Sequence, residues 1–267
     1  IWSDLRGVKE MKSIPSGLTI IIVVVLCGIL VVNGASTLTS NEKAIDSVYK
    51  FMGHPMADLI ASNGIETPHA NYISVSNGDS EFWVNADTFT VEGYLSYSSY
   101  DKFSQVKLSK NDAEKAALDF AMNHFKDFQN ENFQLITSEL FDPGNMPTYH
   151  FTWREYLGEI EGPSVIDVVI NPDTGDILSY VGINRDISIP LTYKVTKEEA
   201  VNSANEQFKG IDVQSVDSKL KIWYDDGGSQ KLMWIVTILG SQANTVGGGT
   251  VSIDANSGEI LEIEQFL

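Results

Sequence analysis

The chain has 267 residues, 43% of them apolar, and a formal charge of −18. That length and apolar content allow one large domain or a few small ones with real cores, and they exclude a disordered chain. The acidity, with no segment that gathers Lys and Arg free of acids, excludes nucleic acid as a partner and disfavours an anionic lipid surface.

At the start of the chain, Leu18 to Val32 carries no charge and would span about 22 Å as a helix, the length of a signal peptide's apolar region rather than of a full span. Met11-Lys12 reads as the start of such a peptide, with Ile1 to Glu10 upstream of it. Val32-Asn33-Gly34 and Asn33-Gly34-Ala35 place small residues where a signal peptidase cuts, so Gly34 and Ala35 are the candidate cleavage residues. The alternative is an uncleaved anchor, because Gly17 to Gly34 just spans a thin bilayer. Residues 1–36 are therefore a signal peptide or a membrane anchor, and membrane contact is expected through this segment alone. Positive charge before it and acid after it place the remainder, at about −19, outside the cytoplasm. The only cysteine, Cys27, lies inside the segment, so no disulfide staples the body. Leu26 stands where a lipid-modified cysteine needs a small residue, which argues against that modification.

The next stretch, residues 37–107, opens on Leu38-Thr39 with Glu42 three residues after the threonine, the spacing of a hydroxyl N-cap and its capping-box acid. Ile45, Val48 and Met52 then follow helical spacing. Toward its end, Asn85-Ala86-Asp87-Thr88-Phe89-Thr90-Val91-Glu92 has the residue types of a hairpin turn. Phe89 occupies a position held by glycine in two later copies, so this turn is expected to differ from theirs.

Residues 108–187 begin the same way, with Leu108-Ser109 and Asp112, although Asp is a weaker third-position partner than Glu. Ala113, Ala117, Phe120, Ala121, Phe125 and Phe128 continue as a helical stripe, which reads as core. Strands are predicted over Phe133 to Phe141 and Tyr149 to Tyr156, separated by the turn signal Pro143-Gly144-Asn145. The stretch closes on Asn171-Pro172-Asp173-Thr174-Gly175-Asp176-Ile177-Leu178, a hairpin with Asp173 in its polar turn and Gly175 supplying the left-handed residue.

Ile187 to Lys194, with Pro190, leads into the last stretch, 188–267. Thr196 with Glu199 is a third cap, followed by Ala200, Ala204 and Phe208 at helical spacing. Strands are predicted over Lys219 to Tyr224 and Leu232 to Leu239, separated by Asp225-Asp226-Gly227-Gly228. The second is apolar on both faces and should be central in its sheet. Gly247-Gly248-Gly249 lacks the lysine of a phosphate-binding loop and reads as a hairpin loop. Asp254-Ala255-Asn256-Ser257-Gly258-Glu259-Ile260-Leu261 repeats the earlier hairpin, with Asn256 and Gly258 as its turn residues. A calcium loop is the rival reading of this string, but an EF-hand has glycine sixth, and here glycine is fifth.

The fold class is thus α+β: tandem units, each of one helix packed on an antiparallel β-sheet of about four strands. The apolar signal or anchor segment precedes them. The opening Thr196-x-Glu198-Glu199-Ala200 and the closing Val251 to Leu261, of the form V-x-I-D-A-x-S-G-E-I-L, resemble the PepSY domain. The resemblance is closest over 195–267, weaker over 108–187 and faint over 37–107. It implies a non-catalytic module of the cell envelope that binds or restrains a peptidase, as the propeptides of thermolysin-type metallopeptidases do. No protease domain follows the last hairpin, so the expected target is a separate peptidase or another envelope protein.

The signatures of catalysis are missing. None of His54, His69, His124 and His150 lies in H-E-x-x-H, the body lacks cysteine, and no serine lies in G-x-S-x-G. Glu155, Glu159 and Glu161 with Asp225 and Asp226 are the acids that remain as a general acid and base. With 36 Asp and Glu in the chain, most such groups simply face water. Trp153, Trp223 and Trp234 fall in predicted strands and read as core, though an exposed one would mark a binding face. No enzymatic activity, metal or cofactor is expected. The function read from the sequence is an exported PepSY-repeat protein that binds and regulates, by inhibition, a peptidase of the cell envelope. The alternative is a structural or interaction module of the envelope with no protease target.

Overall fold

A computed structural model describes residues 38–67, 70–97, 105–128, 132–143, 146–225, 227–242 and 245–266. The apolar segment with Cys27, the cleavage residues Gly34 and Ala35, and also His69 and Asp226, lie outside the described residues.

Among the described residues the chain runs three times through one helix and four strands. Helix α1 (Ser40–Met52) precedes β1 (Ile60–Thr67), β2 (Ala70–Ser76), β3 (Ser80–Asn85) and β4 (Val91–Ser96). Helix α2 (Lys110–His124) precedes β5 (Phe133–Phe141), β6 (Thr148–Leu157), β7 (Ile160–Ile170) and β8 (Ile177–Ile183). Helix α3 (Lys197–Gln207) precedes β9 (Asp212–Tyr224), β10 (Gln230–Gln242), β11 (Thr245–Asp254) and β12 (Ile260–Gln265).

The helices start where hydroxyl caps relieve unbonded N–H groups. Thr39 accepts from Glu42 N and Thr196 from Glu199 N, while each glutamate reaches back to the threonine N–H at 2.8 Å, completing two capping boxes. Ser109 caps α2, and Asp112, one methylene shorter, takes the Ser109 hydroxyl at 2.7 Å. Each helix presents small residues to the sheet: Ala44, then Ala113, Ala117 and Ala121, then Ala200 and Ala204, all fully buried. Alanine at intervals of four makes a flat ridge that lets a helix approach a sheet closely. The stripe predicted to run through Phe128 stops earlier as helix. Phe125 caps α2 with extended backbone and Asp127 turns left-handed at φ 66°, yet Phe128 still reaches the core.

All the strands join one 12-stranded sheet, ordered β1-β2-β3-β4-β8-β7-β9-β10-β11-β12, with β5 and β6 branching off β7. Pairing is antiparallel except at β7 and β9, which run parallel through Ile160–Leu220 and Glu161–Lys221. Strand β10, apolar on both faces, lies between β9 and β11. The buried apolar side chains gather in two clusters. One takes both α1 and α2 against β2–β4 and β6–β8, and the other takes α3 against β9–β11. Phe51 at the end of α1 shows why the first two helices share a core, because its ring meets Phe120 of α2 at 5.8 Å and Tyr180 of β8 at 5.6 Å.

Two local expectations are corrected. Gly247-Gly248-Gly249 is not a hairpin loop but part of β11. A Cβ on Gly248 would lie 2.0 Å from the Ile238 carbonyl oxygen, and one on Gly249 2.1 Å from that of Glu264, so these glycines admit close strand approach. The turn at Phe89 does not differ from its later copies. Phe89 itself adopts φ 54°, and its N–H donates to the Asn85 carbonyl at 2.9 Å. The Asn85 side chain pins Asp87 N and Thr88 N, and the half-buried phenyl ring packs on the first core with Lys43 above it. Those contacts offset the cost of a left-handed non-glycine residue, about 1 kcal/mol.

Candidate functional site

The hairpin residues singled out by the repeat hold turns onto helices. Asn171 Oδ1 accepts from Asp173 N and Thr174 N, and Asp254 Oδ1 from Asn256 N and Ser257 N. Gly175 and Gly258 follow at φ 82° and 77°. Each turn then offers one carbonyl to the two residues before a helix cap: Pro172 O accepts from Lys107 N and Leu108 N, and Ala255 O from Lys194 N and Val195 N. Lys107 also pairs with Asp173 at 2.6 Å. These contacts hold each turn against the start of its helix.

Of the acids considered as an acid–base set, the four described ones, Glu155, Glu159, Glu161 and Asp225, have separate surroundings. Glu159 accepts from Tyr193 Oη, and Asp225 accepts from Gly227 N and Ser229 N in its own turn. Glu161 is buried and meets Lys221 Nζ at 3.3 Å beside the parallel joint of β7 and β9. Burial lowers the Lys221 pKa against the pull of Glu161. Glu155 stands apart, with its Oε2 buried and without a hydrogen-bond partner.

Among the described histidines, His124 places Nδ1 2.8 Å from Phe120 O and Nε2 3.0 Å from Phe51 O, tying α2 to α1. His150 bonds Thr148, and burial lowers its pKa against Glu139 and Asp167. No group of three His, Cys, Asp or Glu among the described residues is placed to hold a metal ion. Trp153 and Trp234 are buried in the two cores, whereas Trp223 is 38% exposed with Lys221 Nζ 4.3 Å from its ring centroid.

No periodic pattern marked the buried network at the start of β4. Glu92, 5% exposed, takes a two-pronged bond from Arg185, whose Nη1 and Nη2 lie 2.7 and 2.6 Å from its oxygens. Tyr72 Oη donates to the same carboxylate at 2.8 Å and Asn85 Nδ2 at 3.0 Å. Burial first, then the Glu92 charge, pushes the Tyr72 hydroxyl pKa well above its ordinary range. This joins the first helix-and-strand run to the segment leaving the second. An isolated Arg in the sequence of a connection carries no periodic signal that could have paired it with Glu92.

What the sheet does present is open edges. Strands β1, β5 and β12 each pair on one side only among the described residues. An unpaired strand edge is a template for another extended chain. The β1 register breaks between Asn63 and Glu66 around Gly64, and β12 carries Glu262 and Glu264 in six residues, which repel an added strand. Strand β5 is the longest of the three, with nine residues and one acid, Glu139. It exposes Leu135, Ile136 at 47%, Leu140 and Phe141 at 52%. The register shifts once at Ile136, turning that side chain outward. Of the three edges it exposes the most large apolar side chains.

Residues 194–264 match the PepSY family, described as peptidase propeptide and YPEB domain. A similar solved structure is the Bacillus megaterium YpeB C-terminal domain, at 17% sequence identity and a TM-score of 0.44, covering 84% of this chain and 96% of that one. No curated protein matches the chain. Among the described residues no helix is long and apolar enough to cross a membrane.

Proposed function

We propose that this PepSY-containing chain is an exported, envelope-associated binding protein that restrains a peptidase without itself catalysing a reaction. The β5 edge takes an extended segment of the peptidase as an added strand. The observation that carries this reading is the edge itself: nine residues paired on one side, with four large apolar side chains exposed and a single acid. Backbone pairing supplies affinity in such a complex and the alternating side chains supply specificity. The match at 194–264 to a family described by peptidase propeptides supports the choice of partner. The formal charge of −18 favours a partner with a basic rim and gives encounter an electrostatic component.

The test is to add the purified protein at micromolar concentration to peptidases secreted by the same cell. At least one is slowed, the effect weakens as salt rises over the range where screening acts within about 10 Å, and the protein stays intact while bound. A protein that slows no secreted peptidase, or slows one only until it is itself digested, overturns the reading and leaves an envelope scaffold in its place.

A further inference from the structure

The three runs of one helix and four strands are not joined alike. The first two share a core, and none of the buried side chains of that core comes from the third. The third run has its own core, to which the first two contribute one buried side chain, Ile160, with Leu157 packed beside it. Both belong to the tip of the β6–β7 hairpin, which turns at Gly158. Backbone pairing between β7 and β9 covers two of the thirteen residues of β9, Leu220 and Lys221.

Side-chain contacts close this narrow joint. Glu161 meets Lys221 at 3.3 Å with both side chains largely withdrawn from water, and Tyr193 Oη donates to Glu159 at the tip. A buried ion pair of this kind adds little net stability, because desolvation offsets the attraction, but removing one partner is costly. It therefore acts as a catch, favouring the docked geometry that answers both charges. An interface held by so few contacts is the kind across which domains move.

The connection is pinned on both sides of a single step. Arg185 is fixed to the first two runs, with its guanidinium on Glu92 and Tyr72 and its N–H on Ser164 Oγ. The next residue is already fixed to the third: the Asp186 carbonyl accepts from Gln230 Nε2, and the Ser188 N–H and hydroxyl both donate to Gln230 Oε1. Rotation about the backbone between Arg185 and Asp186 moves the third run without breaking either set of bonds.

We propose that the third run is a hinged body that swings on the Arg185–Asp186 step, with the Glu161–Lys221 pair and the Leu157–Ile160 tip as its catch. In the closed form, seen in this structure, the catch covers Ile160 and the Leu220–Lys221 stretch of β9. In the open form that side of β9 joins the free edges of the sheet. The hinge needs nothing of the β5 edge, which lies on the other body.

Spin labels at exposed helix positions of the two bodies test it, at Lys115→Cys and Asn202→Cys in the full chain with Cys27→Ser. Double electron–electron resonance reads the distance between them, and amide exchange of residues 165–170 and 232–239 reports on the two cores. The parent shows one dominant distance. Glu161→Gln leaves the Lys221 charge without its carboxylate and should raise the share of a second distance at least about tenfold, with both cores still protected. Tyr193→Phe, which takes one hydrogen bond from the exposed tip, should raise it about threefold. An unchanged single distance in both variants overturns the hinge. So does a second distance that appears only with lost protection in either core, because the pair then holds the bodies themselves together rather than one to the other.

Discussion

At Asp254 a single carboxylate oxygen closes the last hairpin by accepting the N–H groups of Asn256 and Ser257. Its partial burial would raise its pKa, but those two N–H groups hold it below the usual aspartate range. A folded pKa below the unfolded one means stability that is present above the unfolded value, about 3.9, and is lost as pH falls through the folded value. The two earlier copies already use asparagine here, Asn85 and Asn171, which makes the same turn without titrating. Asp254→Asn should therefore lose less stability than the parent between neutral and acid pH in urea titrations, and identical acid profiles would show that the turn does not use the ionised oxygen. Gly258, four residues on, has φ 77°, and a Cβ there would meet only Val195 Cγ2 at the ordinary contact distance of 3.6 Å. Gly258→Ala thus isolates the backbone cost and should destabilise by about 1 kcal/mol in chemical denaturation. The two glycine turns were legible because Gly175 and Gly258 supply the left-handed residue that such a turn needs. Phe89 was misread because packing against a core outweighed its own preference.

The elements themselves were legible where a period or a cap marked them. Thr39, Ser109 and Thr196 each sit at the start of a helix, and the alternation and turn signals found β5, β6, β9 and β10, although β9 and β10 run longer than their apolar centres. Gly247 to Gly249 were misjudged because a glycine run looks the same whether it loosens a loop or makes room for a neighbouring strand. The alanine ridges follow a simpler rule, that a helix lying flat on a sheet needs small residues beneath it. Ala117, fully buried at the middle of the α2 ridge, has no room to grow. Ala117→Leu should lower stability by about 1–3 kcal/mol through overpacking, whereas the nearby exposed Leu118→Ala should change it little. A melting temperature unaffected by Ala117→Leu would mean that α2 rides higher over the sheet than its buried alanines indicate.

For the whole molecule, what holds distant segments together was not legible. The Glu92–Arg185 pair and the two-residue parallel joint of β7 with β9 bring together residues far apart in sequence, and neither leaves a periodic trace. The sharing of one core by α1 and α2 was hidden for the same reason, since a helical stripe says that a face is buried but not which neighbour buries it. The open edge of β5 was equally hidden: Phe133 to Phe141 reads as an ordinary strand, and it is the branching of the sheet that leaves one side of it free among the described residues. On the proposed function, this free side receives a strand from a peptidase. Amide hydrogen exchange tests it on the full chain, alone and saturated with a secreted peptidase that it slows. Exchange across residues 133–141 should slow by at least about tenfold on binding, while the Glu-guarded edge at 260–265 stays unchanged. A complex that forms with exchange at β5 unaltered would contradict the claim.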